Sequence, residues 1–331
     1  MQSFKQLYFN TFNNRNKNAD LQRLAKNTGV HIIFPFYHIV SNQSVPHIKH
    51  LYPIKDTTSF EDEMGYLLKH FTPLHMDDYV AGNYEKGKLY FVLSFDDGLS
   101  EMHSVVAPIL KQMGIPATFF LNSDFIDNKG LFYRYKVAVL IEKVATEELS
   151  KQITNLLGLG KVKIANPAKY LLQLKWSDTE LIDKIALACH VSFNTYLAEH
   201  TPYLTSAQIL DLIKEGHAIG AHSINHPEYR TIDPQIQFLQ TRDSMQIIAD
   251  NFQLKRKYFA FPFTADGIVK ELFPAMYGEL KIDLSFGTAG LQTTKYPKHI
   301  ERIPAEHIRY GLQEIIGNEY YYHRFKRRLG K

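Results

Sequence analysis

The sequence contains almost no cysteine, since Cys189 is the only one among 331 residues. A single cysteine excludes an intramolecular disulfide framework and any cysteine-rich zinc site. Cys189 stands in an apolar stretch, where we expect a small buried side chain. Long apolar runs are also missing, and no segment is predicted to span a membrane. The first 20 residues lack the apolar centre of a signal peptide, so we expect a cytoplasmic protein.

A strong excess of charge of one sign is absent as well. Lysine and arginine number 38 against 34 aspartate and glutamate residues, and the basic side chains are dispersed rather than arranged in a stripe. The composition therefore gives no indication of a nucleic-acid partner. The basic and aromatic C-terminus, residues 320–331, is the exception. It is interpreted either as a solvated helix end or as a weak contact with a membrane surface or another acidic surface.

Apolar residues make up 45% of the chain, in strand-like and helical segments that alternate. Strands are predicted at 30–40, 88–95, 116–122, 217–223, 257–263, 283–288 and 299–305. Helices are predicted at 58–71, 104–114, 205–216 and 233–252. The first of these helices is expected to begin with a capping box formed by Thr58 and Glu61. Strands separated by helices indicate an α/β fold with a mostly parallel sheet, either open or closed into a barrel. Residues 129–201 contain only helical segments and are interpreted as an insertion.

Two adjacent carboxylates, Asp96 and Asp97, follow the apolar run at 89–93. An Asp-Gly pair after such a run is a common turn signal, so one interpretation is a surface turn with two solvated carboxylates. The next predicted element is a helix, however, which makes this a strand-to-helix junction. Sites in α/β folds form at the carboxyl ends of strands.

Two histidines, His222 and His226, stand four residues apart in "AHSINH". This spacing alone is weak evidence, and two loop histidines that bind nothing are the alternative. The pair does not resemble a zinc-protease helix, because Ser223 replaces the glutamate and Pro227 disfavours helical geometry at His226. We therefore expect the pair at the end of a strand and in the loop that leaves it.

The carboxylates and the histidines strengthen each other, because both follow predicted strands and therefore lie at the same face of a parallel sheet. One carboxylate and two imidazoles form a three-ligand metal site with open positions, as in catalytic zinc sites. A cation there would activate a water molecule, and the remaining carboxylate could act as general base. It would also offset two charges at the edge of the core.

Four segments resemble, in order and character, the motifs of the NodB-like polysaccharide deacetylases. They are "SFDDG" (94–98), "ATFFL" (117–121), "GHAIGAHSINHPE" (216–228) and "FAFPFTADG" (259–267). The resemblance implies a distorted (β/α) barrel of mostly parallel strands. The barrel domain would comprise 30–128 and 202–308, interrupted by the helical insertion 129–201. An N-terminal extension (1–29) and a basic C-terminal helix or tail (309–331) would flank it.

The resemblance also implies an activity, the metal-dependent removal of N-acetyl groups from amino sugars of a poly- or oligosaccharide. This is hydrolysis of carbon–nitrogen bonds other than peptide bonds, and the partner would be an N-acetylated glycan or glycan precursor. Asp96 would be the base. Asp97, His222 and His226 would bind a divalent metal, with zinc expected and cobalt, nickel or manganese as other candidates.

Further roles follow from the exopolysaccharide-type members of that family. Their opening Tyr-His pair resembles "YHIV" (37–40), so His38 is a candidate general acid, with a packed core histidine as the alternative. Phe261, Pro262 and Phe263 of the third motif are expected to bind substrate. Aromatic residues of the insertion could stack on sugar rings or simply form its core; they are Phe132, Tyr133, Tyr135, Tyr170 and Trp176.

The chain also departs from the family. The third motif usually carries an arginine that orients the catalytic aspartate, but Ala260 and Phe261 precede Pro262 here. The late leucine-x-histidine motif is not evident, and His299 and His307 are off its pattern. Arg302 resembles the arginine of a closing Arg-x-Pro, for which we expect a structural role. These departures leave open a glycan-binding relative with impaired catalysis. A further alternative is an amidohydrolase acting on a small non-sugar amide, a reaction that related barrels carry out.

Overall fold

The computed structural model describes residues 5, 7–11, 19–159, 164–307 and 309–328. Its described strands are β1 (Ile32–Ile33), β2 (Pro35–Tyr37), β3 (Thr72–Pro73), β4 (Tyr90–Phe91), β5 (Leu93–Phe95), β6 (Ala117–Leu121), β7 (Ala218–Ala221), β8 (Tyr258–Ala260), β9 (Leu284–Gly287), β10 (His299–Glu301) and β11 (Ile303–Pro304). Its described α-helices are α1 (Leu21–Thr28), α2 (Thr57–His70), α3 (Met76–Ala81), α4 (Ala107–Met113), α5 (Tyr133–Lys143), α6 (Thr146–Leu156), α7 (Pro167–Leu171), α8 (Thr179–Ala188), α9 (Phe193–His200), α10 (Ser206–Lys214), α11 (Pro234–Phe252), α12 (Leu272–Gly278) and α13 (Leu312–Arg328).

Eight strands form one parallel sheet in the order β10-β9-β8-β7-β6-β5-β2-β11. At one edge β10 pairs with β9, at the other β11 pairs with β2, and only Arg302 separates β10 from β11 along the chain. This one segment therefore joins both edges and brings the sheet into a nearly closed barrel. The predicted barrel of mostly parallel strands is confirmed, and the strand expected at 299–305 is the element that closes it.

Barrel strands β2 and β5 to β9 are buried on both faces, as their continuous apolar sequences indicate. Every residue of β6 and of β7 is buried. In β7, Gly220 leaves room for a neighbouring aromatic ring, because a Cβ there would lie 2.6 Å from ring atoms of Phe120. A second, three-stranded sheet in the order β1-β4-β3 lies at the amino ends of β2 and β5.

The predicted helical insertion supplies most of a second hydrophobic core, which it shares with barrel segments. None of its described residues between 129 and 201 forms a strand, and helices α5 to α9 lie within this range. Side chains of these helices, such as Leu140, Ile153 and Ile182, pack together with the segment 39–54. Leu99 and Phe125, which follow β5 and β6, belong to the same cluster. The insertion therefore covers the carboxyl ends of the barrel strands.

Two local predictions about helix starts are wrong. Helix α2 is capped by Asp56, whose Oδ1 accepts the Ser59 backbone N–H at 2.8 Å, and not by a box of Thr58 and Glu61. Aspartate at this position already satisfies the first free N–H group of the helix. The helix expected at 104–114 begins earlier, with a π-helical turn at Met102–Val106 that leads into α4.

The basic C-terminal segment continues a long helix, α13, that packs on α1 and α2. The Tyr320 hydroxyl donates to the Val30 carbonyl oxygen at 3.0 Å, and Tyr320, Tyr322 and His323 are buried. The aromatic part is therefore core, while the basic residues occupy the last turn of the helix. Residues 329–331 of the predicted tail lie outside the described residues, and its contact with an acidic surface stays a prediction. In the part of the chain that is described, no helix is both long and apolar enough to cross a bilayer.

Candidate active site

Four of the predicted site residues meet at the carboxyl ends of two strands. Asp96 and Asp97 directly follow β5, and His222 directly follows β7, with His226 in the loop beyond it. All four are buried, with exposed fractions of 1 to 5%. The backbone at Asp97 and His226 is left-handed, with φ values of 75° and 61°. Such conformations are costly and cluster at functional sites.

Three of these side chains converge as metal ligands would. Asp97 Oδ1 lies 3.1 Å from His226 Nε2 and 3.6 Å from His222 Nε2, and the two Nε2 atoms lie 3.1 Å apart. The three donor atoms lie within 4.8 Å of one another, a spacing that could hold one metal ion. One carboxylate oxygen and two imidazole nitrogens are a donor set typical of zinc and similar divalent cations.

The hydrogen bonds of these residues fit a cation. Buried Asp97 Oδ1 has no hydrogen-bond partner, which is costly unless a further group binds it. His222 Nδ1–H donates to the Ala260 carbonyl oxygen at 2.8 Å, which fixes the tautomer and leaves the Nε2 lone pair facing the cluster. Burial lowers the pKa of His222 to about 4, so the imidazole is neutral near pH 7 and able to bind a metal.

A side chain of the helical insertion, Tyr135, also contacts Asp97. Asp97 Oδ2 accepts a hydrogen bond from the Tyr135 hydroxyl at 2.8 Å, and the Tyr52 hydroxyl lies 2.9 Å from that of Tyr135. Burial alone would raise the pKa of Asp97. The electrostatic attraction of the neighbouring His226 outweighs burial, aided by that of His38, and holds that pKa well below its usual range. Asp97 is therefore anionic at neutral pH.

Asp96 forms an ion pair with a buried arginine, Arg302, for which we expected only a structural role. Arg302 Nη1 and Nη2 donate to Asp96 Oδ1 and Oδ2, each at 2.7 Å, in a bidentate pair. The Arg302 side chain is completely buried, and its guanidinium lies 4.3 Å from the ring centre of Phe36 and 5.2 Å from that of Phe120. Burial opposes ionisation of Asp96, but the charge of Arg302 outweighs it and lowers the pKa of Asp96.

Arg302 thus takes the place of the missing arginine of the third motif. It lies between β10 and β11, at the point where the barrel closes, and 206 positions from Asp96. The "ERIP" segment was a visible signal, but nothing in it indicated that the side chain reaches Asp96. The role expected for Arg302 is therefore corrected from structural alone to positioning of the carboxylate.

His38 follows β2 and forms an ion pair that the sequence did not indicate. Its Nδ1–H donates to Glu306 Oε2 at 2.7 Å, while Glu306 Oε1 accepts the backbone N–H groups of His38 and Ile39. Burial lowers the pKa of His38, but the charge of Glu306 and the hydrogen bond to it prevail and raise that pKa to about 9. The side chain is 29% exposed and lines a cleft, so His38 is not a packed core histidine.

This cleft has a volume of about 300 Å³ and opens over Asp96, Asp97, His222 and His226. Of the expected substrate-binding residues, only Phe263 lines it. Phe261 is fully buried in the barrel core, and Pro262 does not line the cleft.

The insertion contributes two residues to this cleft, Phe132 and Arg134. Tyr135 does not line the cleft but donates to Asp97 beneath it, and Tyr170 and Trp176 do not line the cleft either. His299 bonds Ser285 and Glu301 elsewhere, and His307 is exposed outside the cleft.

Comparisons with known proteins point in one direction. A family model described as polysaccharide deacetylase matches residues 83–270. The Streptococcus pyogenes deacetylase PplD, solved in complex with acetate, is 15% identical with a TM-score of 0.54, covering 88% of this chain and 98% of its own. IcaB from Ammonifex degensii is 14% identical with a TM-score of 0.55, covering 87% and 97%. A de-N-acetylase from Aggregatibacter actinomycetemcomitans is 14% identical with a TM-score of 0.53, covering 87% and 99%. At these identities the structures establish a shared fold, and no curated protein matches the sequence.

Proposed function

This chain belongs to the polysaccharide deacetylase family, hydrolases of carbon–nitrogen bonds other than peptide bonds, and we propose that it removes N-acetyl groups from an amino-sugar glycan with a divalent metal. One observation carries the proposal. The unpartnered Oδ1 of Asp97 and the Nε2 atoms of two histidines converge beneath a cleft in which Asp96 and His38 also lie. An ionised carboxylate, a protonated imidazole and a metal site in one cleft are the groups that amide hydrolysis requires.

Asp97, His222 and His226 would hold the metal. A divalent cation bound there lowers the pKa of a water molecule and polarises the acetamide carbonyl. Zinc suits the oxygen and two nitrogen donors, and cobalt, nickel and manganese are alternatives. Tyr135 and the Ala260 carbonyl oxygen orient two of the ligands from behind.

Asp96 would take the proton from the attacking water. The bidentate contact with Arg302 fixes the carboxylate plane and keeps the group ionised, because it lowers the pKa. Each carboxylate oxygen accepts more than one hydrogen bond, so Asp96 can still accept the water proton. Its Oδ2 lies 4.0 Å from His222 Nε2, which places it beside the ligand cluster.

His38 would supply a proton to the amine nitrogen as the carbon–nitrogen bond breaks. Glu306 keeps His38 protonated up to about pH 9, so His38 carries a proton to donate at neutral pH. The products are a free amine on the sugar and acetate. Two residues that the family motifs usually supply are missing from this chain, and their absence favoured a glycan-binding relative with impaired catalysis. In the proposed mechanism Arg302 performs the role of the missing arginine, and His38 with Glu306 performs that of the missing late histidine.

Acetate release from a panel of N-acetylated glycans, with zinc or cobalt added, tests the proposal. The Asp96→Asn variant should still bind zinc but lose turnover by about 100-fold or more, because the base is lost. Exposed Asp266 offers a matched control, and Asp266→Asn should release acetate at the wild-type rate. Full turnover by Asp96→Asn would show that another group acts as the base. No acetate release from any glycan in the panel would contradict the function itself.

A further inference from the structure

Arg134 is the residue whose charge the cleft does not balance. Asp96 is paired with Arg302, Glu306 with His38, and Asp97 belongs to the ligand cluster. No carboxylate of the described residues lies within ion-pair distance of Arg134.

The neighbourhood of Arg134 gives it little polar compensation. Glu228, on the loop that follows His226, pairs with Arg230 instead. The nearby Tyr133 hydroxyl carries no charge that could balance Arg134, and the buried Arg134 Nε has no hydrogen-bond partner. A donor left unsatisfied in this way is costly, and an anion entering the cleft would satisfy it.

The ring of Phe263 lies between the Arg134 guanidinium and the proposed metal ligand His226. The guanidinium centre is 4.9 Å from the ring centre of Phe263, and that ring lies 4.8 Å from the ring of His226. Phe263 has a left-handed backbone with φ of 59°, which is uncommon for an aromatic residue. Arg134 therefore points along the wall of the cleft, at a separation that an attached group or an adjoining sugar can span.

Arg134 comes from the insertion and not from the barrel. It is the second residue of α5, whose first turn has no acidic residue and no side-chain cap. The charged groups that the reaction needs all come from barrel segments, so Arg134 is free to select the substrate. A planar guanidinium binds carboxylates and phosphates through two parallel hydrogen bonds.

We propose that Arg134 forms an anion subsite, and that the natural glycan carries a carboxylate or phosphate close to the N-acetyl group that is removed. This inference rests on the proposed deacetylation in the same cleft. It predicts that a neutral chitin-like chain is a poorer ligand than an N-acetylated sugar that bears an oxyanion.

Binding to full-length, zinc-loaded protein tests the subsite, with Asp96→Asn as background to prevent turnover. The probes are N-acetylglucosamine 6-phosphate, an N-acetylglucosaminyl-glucuronate disaccharide and neutral N,N′-diacetylchitobiose. At least one charged probe should bind about tenfold more tightly than chitobiose at low salt, as a charge-assisted bidentate contact implies. The first probe reports a phosphate subsite and the second a carboxylate subsite.

Arg134→Gln should abolish the preference for the charged probe, whereas Arg134→Lys should retain part of it because the charge remains. Lys143→Gln removes a charge from the end of the same helix, outside the cleft, and should leave the preference unchanged. The absence of any charged-probe preference overturns the proposal, and so does a preference that survives Arg134→Gln. Equal weakening of charged and neutral probes by Arg134→Gln also overturns it, since it would reveal a purely structural stacking on Phe263.

The subsite and the proposed function fail separately. Acetate release by the wild-type enzyme without any charge preference would refute the subsite alone. A charge preference that depends on Arg134, in a protein that releases no acetate, would refute deacetylation and leave the anion site standing.

Discussion

The barrel and the helical insertion meet at one cleft but supply it with different chemistry. The barrel supplies the ionisable groups, and two of them, Asp96 and His38, are held by opposite charges from the segment that closes the sheet. Arg302 lowers the pKa of Asp96, and Glu306, four residues later, raises that of His38. One short stretch of chain therefore keeps the proposed base ionised and the proposed acid protonated at the same pH.

The insertion supplies no paired charge to the cleft. It contributes the aromatic Phe132, the cation Arg134 and the hydroxyl of Tyr135 behind a metal ligand. In the proposed mechanism the barrel therefore carries the reaction, while the insertion adjusts the surroundings of Asp97 and faces the substrate. Such a division allows selectivity to vary without disturbing the groups that react. Substitutions on the two sides should accordingly differ in size and kind.

The largest effect is expected at Arg302, on the barrel side. Arg302→Met would leave Asp96 buried without its partner, and such breaks cost about 3–5 kcal/mol of unfolding free energy. Turnover should also fall by at least about 100-fold, because burial alone raises the pKa of Asp96 and its orientation is lost. Chemical denaturation and acetate release measure the two losses.

Arg256, which pairs with Asp283 at the surface, is the matched control. Arg256→Met should leave the free energy of unfolding almost unchanged, because exposed ion pairs contribute little. Wild-type turnover in a stably folded Arg302→Met protein would show that the barrel's closing segment does not control the ionisation and orientation of Asp96.

The sequence predicted those parts of the site that lie within short segments. Asp96, Asp97 and His222 directly follow apolar strands and His226 lies in the loop beyond the second of these strands, and parallel pairing then brings strand ends to one face. Arg302 and Glu306 could not be assigned in this way, because their contacts cross 206 and 268 positions of the chain. Their geometry depends on how β10 and β11 close the barrel, which the apolar pattern does not encode.

Local sequence reasoning also had limits at helix ends and in the third motif. Asp56 and Thr58 are both residue types that commonly cap helices, so the sequence alone does not choose between them. In the structure the backbone places Asp56 at the N-cap position. Phe261 and Phe263 are two residues apart in one apolar run, yet the first is core and the second lines the cleft. The backbone becomes left-handed at Phe263, where the chain leaves the core for the cleft, and nothing in the sequence indicated this conformation.

A second, smaller effect is expected from Glu306→Gln, which tests the acid. The raised pKa means that His38 is protonated below about pH 9, so wild-type activity should be lost as the pH rises through that value. Without the charge of Glu306, burial is less strongly opposed and the pKa of His38 should fall from about 9. The alkaline limb of the kcat/KM profile should move to lower pH, and activity above the new pKa should fall by about 100-fold.

The pair also affects stability, because a folded-state pKa above the unfolded value stabilises the protonated form. Its contribution is fully present below pH 6.5 and is lost as the pH rises through about 9. The pair of His299 and Glu301, outside the cleft, is the control, and Glu301→Gln should leave the pH–rate profile in place. An unchanged alkaline limb in Glu306→Gln would exclude His38 as the group that titrates.

The smallest effect is expected on the insertion side, at Tyr135. Tyr135→Phe removes only the hydroxyl that donates to Asp97 Oδ2, with almost no change in volume. Loss of such an outer partner should weaken zinc binding by about tenfold, measured by competition with a chelator. Turnover should return at saturating zinc, because the insertion does not supply the reacting groups. Tyr133→Phe removes a hydroxyl from the same helix without touching Asp97, and its zinc affinity should equal that of the wild type. If Tyr135→Phe instead lost turnover at saturating zinc, the insertion would share in the reaction and the division between the two regions would fail.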